Sequence, residues 1–164
     1  HQNVPPGGEF IDLDKAAGVI AWLLSPCKRA EQIQFAALIN EDLGEESQSA
    51  ADQQPIPPLD DLAICIEGRG SKKINGLEVG YGPACEFAPD DVKRFSAALD
   101  KVNESGLRSE LNFELMDTQH LPVEYWQEEG EETFTSYIVP NFEKLKRFYR
   151  SAANAGQSVL VWYS

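Results

Sequence analysis

Asp117, His120 and Glu124 come nearest to a metal-binding set in this chain, because an imidazole flanked by carboxylates is a common ligand combination. Their intervals match no established site, and a loop or surface histidine is the simpler reading. A thiol nucleophile needs a base within reach. His120 is the only interior histidine, and Cys27, Cys65 and Cys85 are equally eligible beside it, so no pair is singled out. Gly68-Arg69-Gly70-Ser71-Lys72-Lys73 has the composition of a phosphate loop without the Gly-x-x-x-x-Gly-Lys-Ser/Thr order, and reads as a solvated basic turn. If the chain holds an enzyme or small-molecule pocket, it gathers Tyr81, Cys85, Asp117 and His120. No cofactor is called for.

Charge is the stronger signal. Between Asn40 and Glu67 stand Glu41, Asp42, Glu45, Glu46, Asp52, Asp60, Asp61 and Glu67 with no Lys or Arg. Between Glu104 and Glu132 stand Glu104, Glu110, Glu114, Asp117, Glu124, Glu128, Glu129, Glu131 and Glu132 against Arg108 alone. Each segment is more acidic than half of the whole-chain charge of −13, so the remainder is slightly basic. Such a surface repels nucleic acid and anionic membrane and draws in basic proteins. Acidic runs are commonly just solvated faces. Tyr125 and Trp126 lie inside the second segment, however, and interfaces favour large aromatics at their centre with charge steering the encounter. The expected partner surface is therefore Glu45, Glu46, Asp60, Asp61, Glu128, Glu129, Glu131 and Glu132, with Tyr125 and Trp126 as anchors.

At 164 residues the chain is expected to be a single domain with a core of its own. Three cysteines without metal spacing read as free thiols in a reducing cytosol. No apolar run reaches the length of a membrane span, and no signal-peptide pattern opens the chain, so a cytoplasmic location is expected. The opening His1-Gln2-Asn3-Val4-Pro5-Pro6-Gly7-Gly8 reads as a loop and, without an initiator Met, as a trimmed N-terminus.

The elements that must position these residues follow from periodicity. Leu13, Ala16, Ala17, Ile20, Leu23 and Leu24 predict a helix entered at Asp12 or Asp14 and ended by Ser25-Pro26. Val19 and Trp22 fall off that stripe, which makes the helix apolar nearly all round and packed on several sides. Ala30, Ile33, Ala37 and Leu38 predict a weaker second helix. Residues 40–58 read as an acidic loop insertion with little to bury. Leu59 to Glu67 fits either a strand or a helical turn, broken by Gly68. Leu77 to Pro83 reads as extended chain with a tight turn. Pro89 at a first helical position, with Asp90 and Asp91 behind it, opens a helix to about Val102, and Glu104 to Leu115 offers further helical turns. Leu121 to Trp126 reads as irregular. The last helix carries Phe142, Leu145, Phe148, Tyr149, Ala152 and Ala153, with Asn141 as its cap and Gly156 as its stop. Pro140 is expected to interrupt or kink whatever helix precedes it, and Lys144, Lys146, Arg147 and Arg150 form the basic outer face. Ser158 to Tyr163 closes the chain as a strand.

Gly80-Tyr81-Gly82-Pro83-Ala84, Ala88-Pro89-Asp90-Asp91-Val92, Gly106-Leu107-Arg108, Tyr125-Trp126 and Phe142 to Tyr149 with Gly156 and Val159-Leu160 together resemble a bacterial family known as domain of unknown function 1877, or YfbM-like. Leu13-Asp14-Lys15-Ala16 is similar to the family's helix opening. The family opens with a short strand and helix ahead of Asp12 that this chain lacks or has lost, and its connection corresponding to Cys27–Pro57 is shorter. The resemblance implies a single α+β domain, with helices on a small mixed or antiparallel sheet and a C-terminal helix followed by a terminal strand, and no agreed catalytic set. For relatives encoded beside secreted toxins, it implies a role as cognate immunity proteins. The expected function is thus a non-enzymatic inhibitor that neutralises a basic toxin, such as a nuclease, by covering its cleft.

Overall fold

The computed structural model describes residues 8–42, 55–69, 72–79, 82–123 and 125–162. Among the described residues, eight α-helices and three strands follow in the order α1 (Ala16–Leu24), α2 (Pro26–Asp42), α3 (Asp61–Glu67), β1 (Lys72–Val79), β2 (Gly82–Phe87), α4 (Pro89–Asp100), α5 (Glu104–Ser109), α6 (Phe113–Thr118), α7 (Trp126–Thr133), α8 (Val139–Ala155) and β3 (Val159–Val161). A π-helical turn, Phe134–Ile138, joins α7 to α8. The fold is α+β, as expected. Its sheet is antiparallel in the order β1-β2-β3, with a register irregularity between Lys73 and Glu78.

The apolar circumference of α1 makes it the central helix: Val19, Ile20, Trp22 and Leu23 are all buried, and α2 and α3 both pack against it. Asp12 and Asp14 precede the helix rather than opening it, and regular helix begins at Ala16. Ser25 separates α1 from α2, where Pro26 takes a first-turn position that needs no N–H. α2 continues to Asp42, three residues into the stretch read as a loop insertion; residues 43–54 of that insertion lie outside the described residues. The ambiguous segment before Gly68 is helical, because Asp60 caps it by accepting from Leu62 N at 3.1 Å and Ala63 N at 2.9 Å. Gly68 ends it with a left-handed φ of 69°.

α4 buries Val92, Phe95 and Leu99 against α8, which buries Phe142, Leu145, Tyr149 and Ala152 in turn. Pro140 does not interrupt the chain. Proline lacks the N–H and crowds the carbonyl four residues back; here the preceding turn widens, with Val139 N bonded to Phe134 O, and the helix passes through. Asn141 is consequently no cap, and its Nδ2 donates to the Tyr137 carbonyl at 2.9 Å. Gly156, at φ 63°, ends α8 as expected.

Candidate functional site

The second acidic segment folds into a corner made by α5, α6 and α7. Asp117, at the end of α6, accepts from the backbone N–H of Trp126 at 2.9 Å and of Gln127 at 3.1 Å, so one carboxylate satisfies two amides at the open end of α7. Tyr125 sits just outside in a left-handed conformation (φ 65°) and is 62% exposed. Trp126 turns the other way: it is 1% exposed and stacks on Phe113 at 6.4 Å. The expectation of Trp126 as a surface anchor is therefore corrected, because its indole is core. Gly130 permits that packing, since a Cβ there would lie 2.6 Å from the Phe113 ring.

The opposite face of α7 is exposed and acidic. Glu131 bonds Arg108 at 2.6 Å, and Arg108 also lies 3.5 Å from Glu104 and over the Phe134 ring. These partners raise the Arg108 pKa, the Glu131 hydrogen bond foremost. Glu128, Glu129 and Glu132 have no cationic partner among the described residues. Glu128 and Glu132 stand four residues apart, a like-charge spacing that opposes the helix.

The described carboxylates of the first acidic segment, Asp60, Asp61 and Glu67, are committed to the fold. Asp60 caps α3 and accepts from Ser25 Oγ at 2.5 Å. Asp61 pairs with Arg94 at 3.0 Å. Glu67 lies 2.6 Å from Lys28 and 2.8 Å from Arg69, which also holds Glu31. Burial pulls the Glu31 carboxyl up, but the hydrogen bonds from Arg69 and Lys28 outweigh it and hold it below the usual range. Asp60, expected as a steering charge, thus serves as the cap of α3. Glu45 and Glu46 lie outside the described residues.

Of the residues of the alternative pocket, Cys85, Asp117 and His120 are described. Tyr81 lies outside the described residues. Cys85 is on β2, its Cβ 3.0 Å from the position a Gly68 Cβ would take. Asp117 is spent on α7, and His120 is exposed at φ 51°. Neither described cavity is lined by Cys85, Asp117 or His120. Among the described residues, no group of three or more His, Cys, Asp and Glu is placed to hold a metal ion. All three cysteines are free thiols.

Sequence reasoning missed a cavity of about 810 Å³ between the segment 8–15, α3, α8 and β3. The signal available was faint: apolar Phe10 near one end of the chain and Trp162 near the other, which stack at 5.6 Å. Its two buried titratable groups are held neutral. Tyr149 Oη donates to the Cys65 carbonyl at 2.5 Å, and burial pushes the Tyr149 and Cys65 pKa values well up.

Architecture and site together define a small α+β domain with an acidic helical corner and an apolar cavity. Residues 2–162 match the family described as Domain of unknown function (DUF1877), and the chain belongs to that family. No curated protein and no solved structure matches the chain. Among the described residues, no helix is long and apolar enough to cross a membrane.

Proposed function

We propose that this protein is a non-enzymatic inhibitor, an immunity protein that captures a basic cognate toxin through the exposed face of α7. The observation that carries the reading is the division of labour among the carboxylates. Asp60, Asp61, Glu67, Asp117 and Glu131 are engaged within the fold, whereas Glu128, Glu129 and Glu132 face solvent beside the exposed Tyr125. Carboxylates that repel one another along a helix are relieved by an arriving cationic surface. A nuclease cleft is such a surface, because it must hold phosphates. Opposite charge speeds the encounter, and a rigid aromatic contributes contact area at low entropic cost.

The test is affinity capture with the wild-type chain and with the Glu128→Lys, Glu129→Lys, Glu132→Lys variant, followed by association kinetics at several salt concentrations. The expected outcome is a basic protein whose activity is lost in the complex, which associates faster at low salt and about tenfold more slowly with the variant. Equal association of both proteins removes α7 as the interface. A turnover activity of the isolated chain that His120→Ala or Cys85→Ala abolishes replaces the reading altogether.

A further inference from the structure

Arg108 is the only Lys or Arg between Glu104 and Glu132, and its seat has the chemistry of a guanidinium site. One guanidinium nitrogen donates to Glu131 on α7 at 2.6 Å, another lies 3.5 Å from Glu104 one turn back on α5, and the guanidinium carbon stands 4.8 Å from the centre of the Phe134 ring. Two carboxylates beside an aromatic face suit a flat, delocalised cation better than a compact ammonium. Little holds Arg108 there. Its side chain remains 41% exposed, and those of Glu104 and Glu131 are 54% and 62% exposed, a setting in which an ion pair contributes little. Among the described residues Arg108 donates to no backbone carbonyl, unlike Arg29, which holds those of Trp22 and Leu23, and Lys146, which holds that of Val102. Exchanging this guanidinium for another one keeps every contact of the seat.

Resting on the reading of α7 as the partner surface, we infer that Arg108 is its specificity residue: an arginine of the basic partner takes over the seat on Glu104, Glu131 and Phe134, which Arg108 keeps closed to lysine. A lysine of the partner is attracted to Glu128, Glu129 and Glu132, but in the seat it cannot cover the ring and reach both carboxylates as a planar fork does. Displacing Arg108 with it loses contacts. An arginine replaces like with like, and the tether of Arg108 to α5 sets the threshold, because an intramolecular ligand outcompetes a free one unless other contacts hold the newcomer nearby. The spare carboxylates on the same helix supply those contacts. An occupied seat that rejects the wrong cation gives specificity by exclusion as well as by attraction.

The test uses the whole chain, the exposed substitution Arg108→Gln, and two fluorescent six-residue peptides that alternate glycine with arginine or glycine with lysine. Expected is about fivefold tighter binding of the arginine peptide to Arg108→Gln than to the wild type, the effect of one exposed ion pair. For the lysine peptide the expected gain is under about twofold, from the change in net charge alone. Arg94→Gln makes the same charge change on α4 and is expected to leave both peptides as in the wild type. Equal gains for the two peptides with Arg108→Gln, or the arginine gain reproduced by Arg94→Gln, overturn the inference, because charge alone produces them. Adding Glu131→Gln to Arg108→Gln is expected to abolish the preference for arginine. A preference that survives overturns the inference, as does absence of arginine-peptide binding to Arg108→Gln. The reading of α7 fails by a different result, in which the Glu128→Lys, Glu129→Lys, Glu132→Lys variant binds both peptides as tightly as the wild type.

Discussion

Asp117 shows how a polar residue that invites a catalytic reading can be consumed by the backbone. Its two oxygens sit on the Trp126 and Gln127 amides, and the aspartate holds α6 and α7 together. Gly130 has a comparable role through what it lacks. With Phe113 ring carbons at 2.6 and 2.7 Å from a Cβ position, Gly130→Ala forces the ring or the helix aside. Overpacking of this kind costs about 1–3 kcal/mol, to be read as a lower urea midpoint at unchanged slope. Tyr149 gives a prediction with a pH axis. Burial raises its folded pKa above the ordinary value near 10, and Cys65 is raised likewise from near 9. The folded state then keeps protons that the unfolded chain releases, so this stabilisation is complete below about pH 9 and is lost as pH rises beyond it. Thermal unfolding across pH 7 to 11 is expected to show a melting temperature that falls above pH 9. Tyr149→Phe falls less steeply there and costs about 1 kcal/mol at neutral pH through loss of the bond to the Cys65 carbonyl.

At the scale of elements, short helices depend on their ends. α3 has seven residues, too few for propensity to decide, and the Asp60 cap together with the Gly68 stop fixes it against the strand alternative. Asp60→Ala removes the cap and the Ser25 contact at once, and is expected to lower stability by about 1–2 kcal/mol while partner association is unchanged. An association rate that falls without a change in the denaturation midpoint contradicts the structural role assigned to Asp60. The passage from α7 to α8 illustrates the reverse case, in which a helix survives its breaker. The π turn Phe134–Ile138 carries Tyr137, whose hydroxyl donates to Asp14 at 3.0 Å, and Lys144 from α8 donates to the Asp12 carbonyl at 2.6 Å. The widened turn and its neighbour thereby tie down the segment that walls the β3 cavity.

For the molecule as a whole, charge divides into structural and spare portions. Ion pairs such as Arg150 with Asp100 and Arg29 with Glu110 join elements distant in sequence, and the basic side chains of α8 are partly absorbed by the fold in this way. Glu128, Glu129 and Glu132 belong to the spare portion. Their simultaneous replacement by Gln is expected to leave the unfolding free energy within about 0.5 kcal/mol, or to raise it slightly, because a like-charge helical pair is removed. The same variant is expected to lose most of the salt dependence of partner association. A large loss of stability instead shows that these carboxylates hold the fold together.

Local pattern alone determined the helices α1, α4 and α8, because their apolar residues recur at helical spacing and Pro89 and Gly156 act within a single turn. It also determined the extended chain around Leu77 to Pro83, the terminal strand and the family, whose likeness rests on Pro89 to Val92 and Phe142 to Tyr149. Tertiary structure decided which polar residues are free. Asp60 and Glu128 are both acidic residues in acidic runs, and only the placement of Ser25 and of the α3 amides shows that Asp60 is spent. It also decided that Trp126 is core while its neighbour Tyr125 is exposed, a matter of backbone direction at one left-handed residue. The β3 cavity lay beyond reach of any window along the chain, because its walls come from opposite ends of the sequence and meet only through long-range packing.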